Sequence, residues 1–138
     1  MTRHLLDSDT LTLLRQAHTK VSDRALRHSA TSVTSVINVD EQISGWYSAA
    51  RRAKTPEQIS ETYDRLSSTV VFLGQFPILS FSLVAIAKYE EVKRLKLGVR
   101  ANDLRIAAIA LTHDATVVTR NLADFNRIPG LKVENWAD

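Results

Sequence analysis

Short apolar and β-branched runs alternate along the chain with longer segments whose apolar residues recur every three or four positions. Leu5-Leu6 before Asp7 reads as the end of a buried strand, and Leu11, Leu13 and Leu14 begin a helical pattern with Asp9 as its N-cap. Residues 20–31 are polar and read as a helix end and loop. Ser32–Val39 is β-branched and predicts a second strand, and Asn38 or Asp40 opens a helix through Ile43, Trp46, Tyr47 and Ala50. Thr55-Pro56-Glu57-Gln58 has the form of a helix start, with a cap, a proline at the first position and an acidic first turn. Ile59, Tyr63, Leu66 and Val70 continue that helix. A short strand at Ile78–Phe81 follows, then an amphipathic helix from Leu83 to Leu97, capped by Ser80 or Ser82 and ended by Gly98. Asn102–Thr112 is helical, Thr116–Thr119 a strand, Asn121–Phe125 a capped turn of helix, Ile128-Pro129-Gly130 a turn and Leu131–Val133 a last strand.

Strands alternating with helices predict an α/β fold with a mainly parallel sheet. Sites in such sheets lie beyond the carboxyl ends of the strands. The stretch from Leu66 to Ala87 lacks charge and is long enough to span a bilayer, but its serines and Gly74-Gln75-Phe76-Pro77 break it into separate elements. His4, Asp7 and Asp9 come too early for the apolar region of a secretory leader, so a cytoplasmic chain with no membrane association is expected.

Composition narrows the chemistry. The 138 residues, 44% hydrophobic and 24% charged, suit one domain with a substantial core. No cysteine is present, which excludes disulfide scaffolds, thiolate metal sites and cysteine nucleophiles. The net charge of +3 permits a polyanionic partner without requiring one. The four histidines, His4, His18, His28 and His113, have no metal-ligand spacing.

The candidate chemistry lies in acids near the strand ends. Asp7 follows the first strand, Glu41 the second, and Asp124 comes five residues after Thr119; Asp103 sits in the first turn of its helix. Each has an ordinary alternative. Asn38 with Glu41 and Asn121 with Asp124 have capping-box-like spacing, and Asp103 complements a helix dipole. Together on one rim they would repel one another unless a cation sat among them. Mg²⁺ suits such oxygen ligands and supports displacement at phosphorus.

At these residues the sequence resembles PIN-domain ribonucleases of the VapC toxin type. NDLRIAAIAL, VTRNLADF and IPGLKVENW, in that order within 98–136, carry the resemblance most strongly. LLDSDTLTLL matches the opening strand and acid, SVINVDEQISGW matches the second acidic motif, and residues 50–80 match poorly. The resemblance implies a three-layer α/β/α fold over 1–138. It implies that Asp7, Glu41, Asp103 and Asp124 bind Mg²⁺ or Mn²⁺, supported by Asp9, Asn38, Thr119 and Asn121. Asn38 departs from the family, where a hydroxyl residue is usual. The implied activity is endoribonuclease cleavage by a metal-activated water, leaving 5′-phosphate and 3′-hydroxyl ends. Implied partners are an RNA substrate, a VapB-type antitoxin and a second copy of the chain. Arg120, Arg100, Lys96 and Arg94 are substrate-contact candidates, the last three flanking the Asp103 rim. Trp46, Tyr47 and Trp136 are read as packing or dimer contacts.

Two other readings stay open. Asp7-Ser8-Asp9-Thr10 resembles the opening motif of haloacid-dehalogenase-type phosphatases, although no convincing downstream lysine and paired-acid motif follows. A catalytically silent α/β module that binds a partner would need no metal.

Overall fold

The computed structural model describes residues 2–138. The elements run β1 (His4–Leu6), α1 (Ser8–Arg15), α2 (Thr19–Arg27), β2 (Ser32–Ser35), α3 (Val36–Arg52), α4 (Pro56–Leu73), β3 (Ile78–Leu79), α5 (Leu83–Lys93), α6 (Ala101–Thr112), β4 (Thr116–Val118), α7 (Leu122–Phe125) and β5 (Lys132–Glu134). The strands form one five-stranded sheet in the order β3-β2-β1-β4-β5. Every pairing is parallel, with Leu5 opposite both Val33 and Val117, and Ser35 opposite Leu79.

The two-residue period of a strand sends successive side chains to opposite faces, and the core divides accordingly. Leu5, Val33 and Val117 join Ala85, Tyr89 and Val92 of α5 and most of α6 on one face. Leu6 and Val118 meet Leu11, Val21, Leu73 and Trp136 on the other. The sheet is thus sandwiched between helical layers, the three-layer α/β/α arrangement. In α6 the run Ile106 to Ala110 is fully buried, its alanines allowing close packing against strand and helix. Among the described residues no helix is long and apolar enough to cross a membrane.

Several boundaries differ from the sequence expectations, each for a local reason. β2 ends at Ser35 rather than Val39, because the Ser35 hydroxyl accepts the Asn38 amide and starts α3 at Val36. The β-branched residues that suggested strand are held in helix by packing, Ile37 on one core cluster and Val39 on the other. Residues 19–27 form a separate helix, α2, where a helix end and loop were expected; the segment is polar overall and buries only Val21 fully. α1 begins at Ser8 with Asp7, not Asp9, at the N-cap. β3 stops at Leu79, and Ser82 caps α5 through the Ala85 amide. α5 ends at Lys93, short of Leu97, as the chain closes tight turns from Leu95 to Val92 and from Lys96 to Lys93. Lys96 and Gly98 then take positive φ angles of 53° and 75°. The Thr55 start of α4 is as expected, with a complete capping box to Gln58.

Candidate active site

The carboxyl ends of β1, β2 and β4 and the beginnings of α1, α3 and α6 share one edge of the molecule. A cleft of about 540 Å³ opens there, lined by Asp7, Ser8, Asp9, Glu41, Gln42, Arg100, Asp103, Arg120 and Asn121.

Asp7 is its buried centre. The Asp7 amide donates to Val118 O at 3.0 Å, which ties the end of β1 to β4. Its side chain makes no cap bond within α1. Instead Oδ1 accepts from Asn38 Nδ2 at 2.8 Å, and Oδ2 from the Thr119 hydroxyl at 3.0 Å. Burial pushes the Asp7 carboxyl up to about 6; its hydrogen bonds oppose the rise, and the charges of Asp9 and Asp103 add to it. Such a carboxylate gains from a cation beside it.

A relay sets the geometry. Ser35 Oγ donates to Asn38 Oδ1 at 2.6 Å, turning the Asn38 amide so that its Nδ2 faces Asp7. The same Nδ2 lies 3.1 Å from Ser8 Oγ, and Ser8 Oγ donates to Glu41 Oε1 at 2.8 Å. Asn38 and Glu41 are therefore not a capping box. They are two ends of a network that orients Asp7 and Glu41 together.

Asp103, in the first turn of α6, is 2% exposed. Arg100 grips it through Nη2 to Oδ1 at 3.0 Å and Nε to Oδ2 at 3.3 Å, and reaches to 3.9 Å from Glu41 Oε2. Hydrogen bonding to Asp103, reinforced by its charge, raises the Arg100 pKa above its ordinary value. Asn102 Nδ2 donates to Glu41 Oε2 at 3.3 Å. Arg120, which also lines the cleft, donates from Nε to Asp9 Oδ2 at 2.8 Å.

The structure thus gathers Asp7, Asp9, Glu41 and Asp103 around one cleft, with Asn38, Thr119, Asn121, Arg100 and Arg120 against them. Asp124 does not line the cleft. It is joined through Asn121, whose Nδ2 donates to Asp124 Oδ2 at 3.1 Å and lies 3.5 Å from Asp103 Oδ2. The Asn121 side chain makes no cap bond to α7. Lys96 and Arg94, beyond the end of α5, are not part of the lining. Ser8, Ser35 and Asn102 went unnoticed in the sequence. Ser35 carried a signal, an N-capping residue three positions before Asn38.

The donors are carboxylate and amide oxygens, hard ligands of the kind that hold Mg²⁺ or Mn²⁺. Their negative charge around a desolvated Asp7 fits a divalent cation. Among the described residues no three acids or histidines are yet drawn together as a ready metal shell. No lysine lines the cleft, a group the phosphatase reading needs.

Comparisons with known proteins agree with this architecture. A ribonuclease VapC2 of Rickettsia felis is 39% identical over 70 residues, covering 48% of this chain and 52% of that protein. The match therefore spans about half the length of that relative. A ribonuclease VapC2 of Haemophilus influenzae is 25% identical over 99% of both chains. Among solved structures, a DNA-bound VapBC from Salmonella typhimurium superposes with a TM-score of 0.79 at 25% identity, covering 99% of both chains. A VapBC2 from Rickettsia felis bound to a promoter DNA fragment gives 0.73 at 26% identity, covering 98% of this chain and 99% of that one. A model of the PIN domain family matches residues 6–131, and with the parallel sheet and its acidic edge this places the chain in the PIN domain family.

Proposed function

We propose that this protein is a divalent-metal-dependent endoribonuclease serving as the toxin of a VapBC-type toxin–antitoxin pair. One observation carries the reading: acids from three separate elements, Asp7, Glu41 and Asp103, line a single cleft at the carboxyl edge of the sheet, and Asn38 and Ser8 are spent on orienting two of them. The similarity to VapC ribonucleases supports it.

Asp7, Glu41, Asp103 and Asp124 would hold Mg²⁺ or Mn²⁺. When bound, such an ion supplies water activation and charge stabilisation at phosphorus. The chain's own residues do the rest. Asn38 and Thr119 each fix one Asp7 oxygen, and Ser8 and Asn102 hold those of Glu41. Asn121 couples Asp103 to Asp124. Arg120 and Arg100 at the lips, with Lys96 and Arg94 further out, supply positive charge for the RNA backbone.

Partner surfaces are also available. Leu83 and Val84 on α5 are 85% and 67% exposed, and Val70 and Val71 on α4 are 51% and 69% exposed. Apolar faces of this kind suit a second copy of the chain and a VapB-type antitoxin.

The test is cleavage of a structured RNA mixture by the antitoxin-free protein with Mg²⁺, Mn²⁺ or EDTA, beside Asp7→Asn. Metal-dependent cleavage leaving 5′-phosphate ends is expected, reduced at least about a hundredfold in the variant. Cleavage in EDTA, or full activity of Asp7→Asn, overturns the assignment. A folded protein that neither cuts RNA nor binds metal is instead the silent partner-binding module.

A further inference from the structure

We propose that Arg100 is a resident counter-cation of the acidic cleft, and that a divalent metal must displace it from Asp103 and Glu41 in order to bind. This rests on the metal-dependent reading above.

Arg100 is the residue immediately before α6, so its side chain folds back over the first turn of the helix that carries Asp103. Two of its nitrogens engage the two oxygens of Asp103 at 3.0 and 3.3 Å, a fork that leaves neither oxygen free of the guanidinium. The same Nη2 that meets Asp103 is 3.9 Å from Glu41 Oε2, so one charge bridges acids from α6 and α3. That is the position a shared cation would need. The partners differ in exposure: the Asp103 side chain is 3% accessible, that of Arg100 70%. A buried acid and a solvent-facing arginine make a pair whose cationic half can leave without unfolding anything. Arg120 has no such position, since it pairs with Asp9 and bridges no second acid.

The consequence is competition. Metal-free, Arg100 screens the repulsion among Asp7, Glu41 and Asp103 and keeps the cleft intact. With metal, two positive charges replace one, and the cost of breaking the fork lowers the apparent affinity. Arg100 is a gate on loading, not a ligand.

Titration calorimetry of Mn²⁺ into the purified full-length protein tests this, with Mn²⁺ paramagnetic resonance as a second readout independent of cleavage. Arg100→Gln removes the charge and is expected to tighten Mn²⁺ binding about three- to tenfold. Arg100→Lys keeps the charge but loses the fork, and should fall between the two. Arg120→Gln removes the same charge from a cleft arginine that touches neither Asp103 nor Glu41, and should change affinity less than twofold. Unchanged or weaker binding in folded Arg100→Gln overturns the proposal, as does an equal gain in Arg120→Gln, which would make the effect one of net charge. Saturable binding of equal strength in wild type and Arg100→Gln overturns the Arg100 role alone. No saturable binding in either overturns both it and the metal-dependent reading.

Discussion

Asp7 shows how one residue can be costly to the fold and still stand at the centre of the cleft. Its carboxyl titrates near 6 instead of 3.8, chiefly because it is buried. The native state therefore holds the proton more tightly than the unfolded chain. The stability this gives is fully present below about pH 4 and is lost as the pH rises through 6. In EDTA, Asp7→Asn should match wild type near pH 4 and exceed it increasingly towards pH 7, by at most about 3 kcal/mol. Denaturant unfolding at a series of pH values checks this. A variant less stable than wild type at pH 7 by the same margin as at pH 4 would contradict it. Asp7 was legible in the sequence because it follows a two-leucine strand end. Ser8 was not, because a serine beside an acid carries no mark of the Glu41 bond it makes across the cleft.

Two helix caps separate structure from function at the scale of the element. Thr55 and Ser35 each cap a long helix through the amide three residues on. Thr55 does so on the surface with Gln58 as its reciprocal partner. Ser35 does so in the buried interior, and its hydroxyl also orients Asn38 towards Asp7. Thr55→Ala should cost about 1 kcal/mol, lowering Tm by about 3–5 °C, with RNA cleavage unchanged. Ser35→Ala should cost about 1–2 kcal/mol and also reduce cleavage about 10- to 100-fold. Calorimetry paired with cleavage rates distinguishes them; equal activity in the two variants would remove Ser35 from the site. The Thr55 cap was readable because its motif is contiguous. The start of α3 was misplaced because Val36, Ile37 and Val39 have strand preference, which the Ser35 cap and the packing of Ile37 and Val39 on the two core clusters override.

Across the whole molecule, the sheet draws residues from positions 7 to 124 into one neighbourhood. A metal bound there by acids of α1, α3 and α6 joins elements that separate on unfolding, so it should stabilise the entire fold. At a Mn²⁺ concentration about 100 times its dissociation constant the gain is about 2.7 kcal/mol, or roughly 5–10 °C in Tm. Scanning calorimetry with Mn²⁺ against EDTA should show this rise in wild type and little of it in Asp7→Asn. An equal rise in both would place the metal elsewhere.

Much of this was local enough to be carried in the order of residues. Strand–helix alternation specified a parallel α/β sheet, and an acid after a strand end pointed to the edge where the cleft opens, because both follow from short-range periodicity. That Asp7, Glu41 and Asp103 would share one edge was legible for the same reason, whereas Asp124 lies off the cleft lining. How they are held was not. The relay from Ser35 through Asn38 to Asp7, the bond from Ser8 to Glu41, the link from Asp124 through Asn121 towards Asp103, and the grip of Arg100 on Asp103 each depend on which helices the sheet brings side by side. Spacing along a chain sets the face a side chain occupies. Its hydrogen-bond partners are chosen by distances across the folded core, as between Asp7 and Thr119, 112 positions apart.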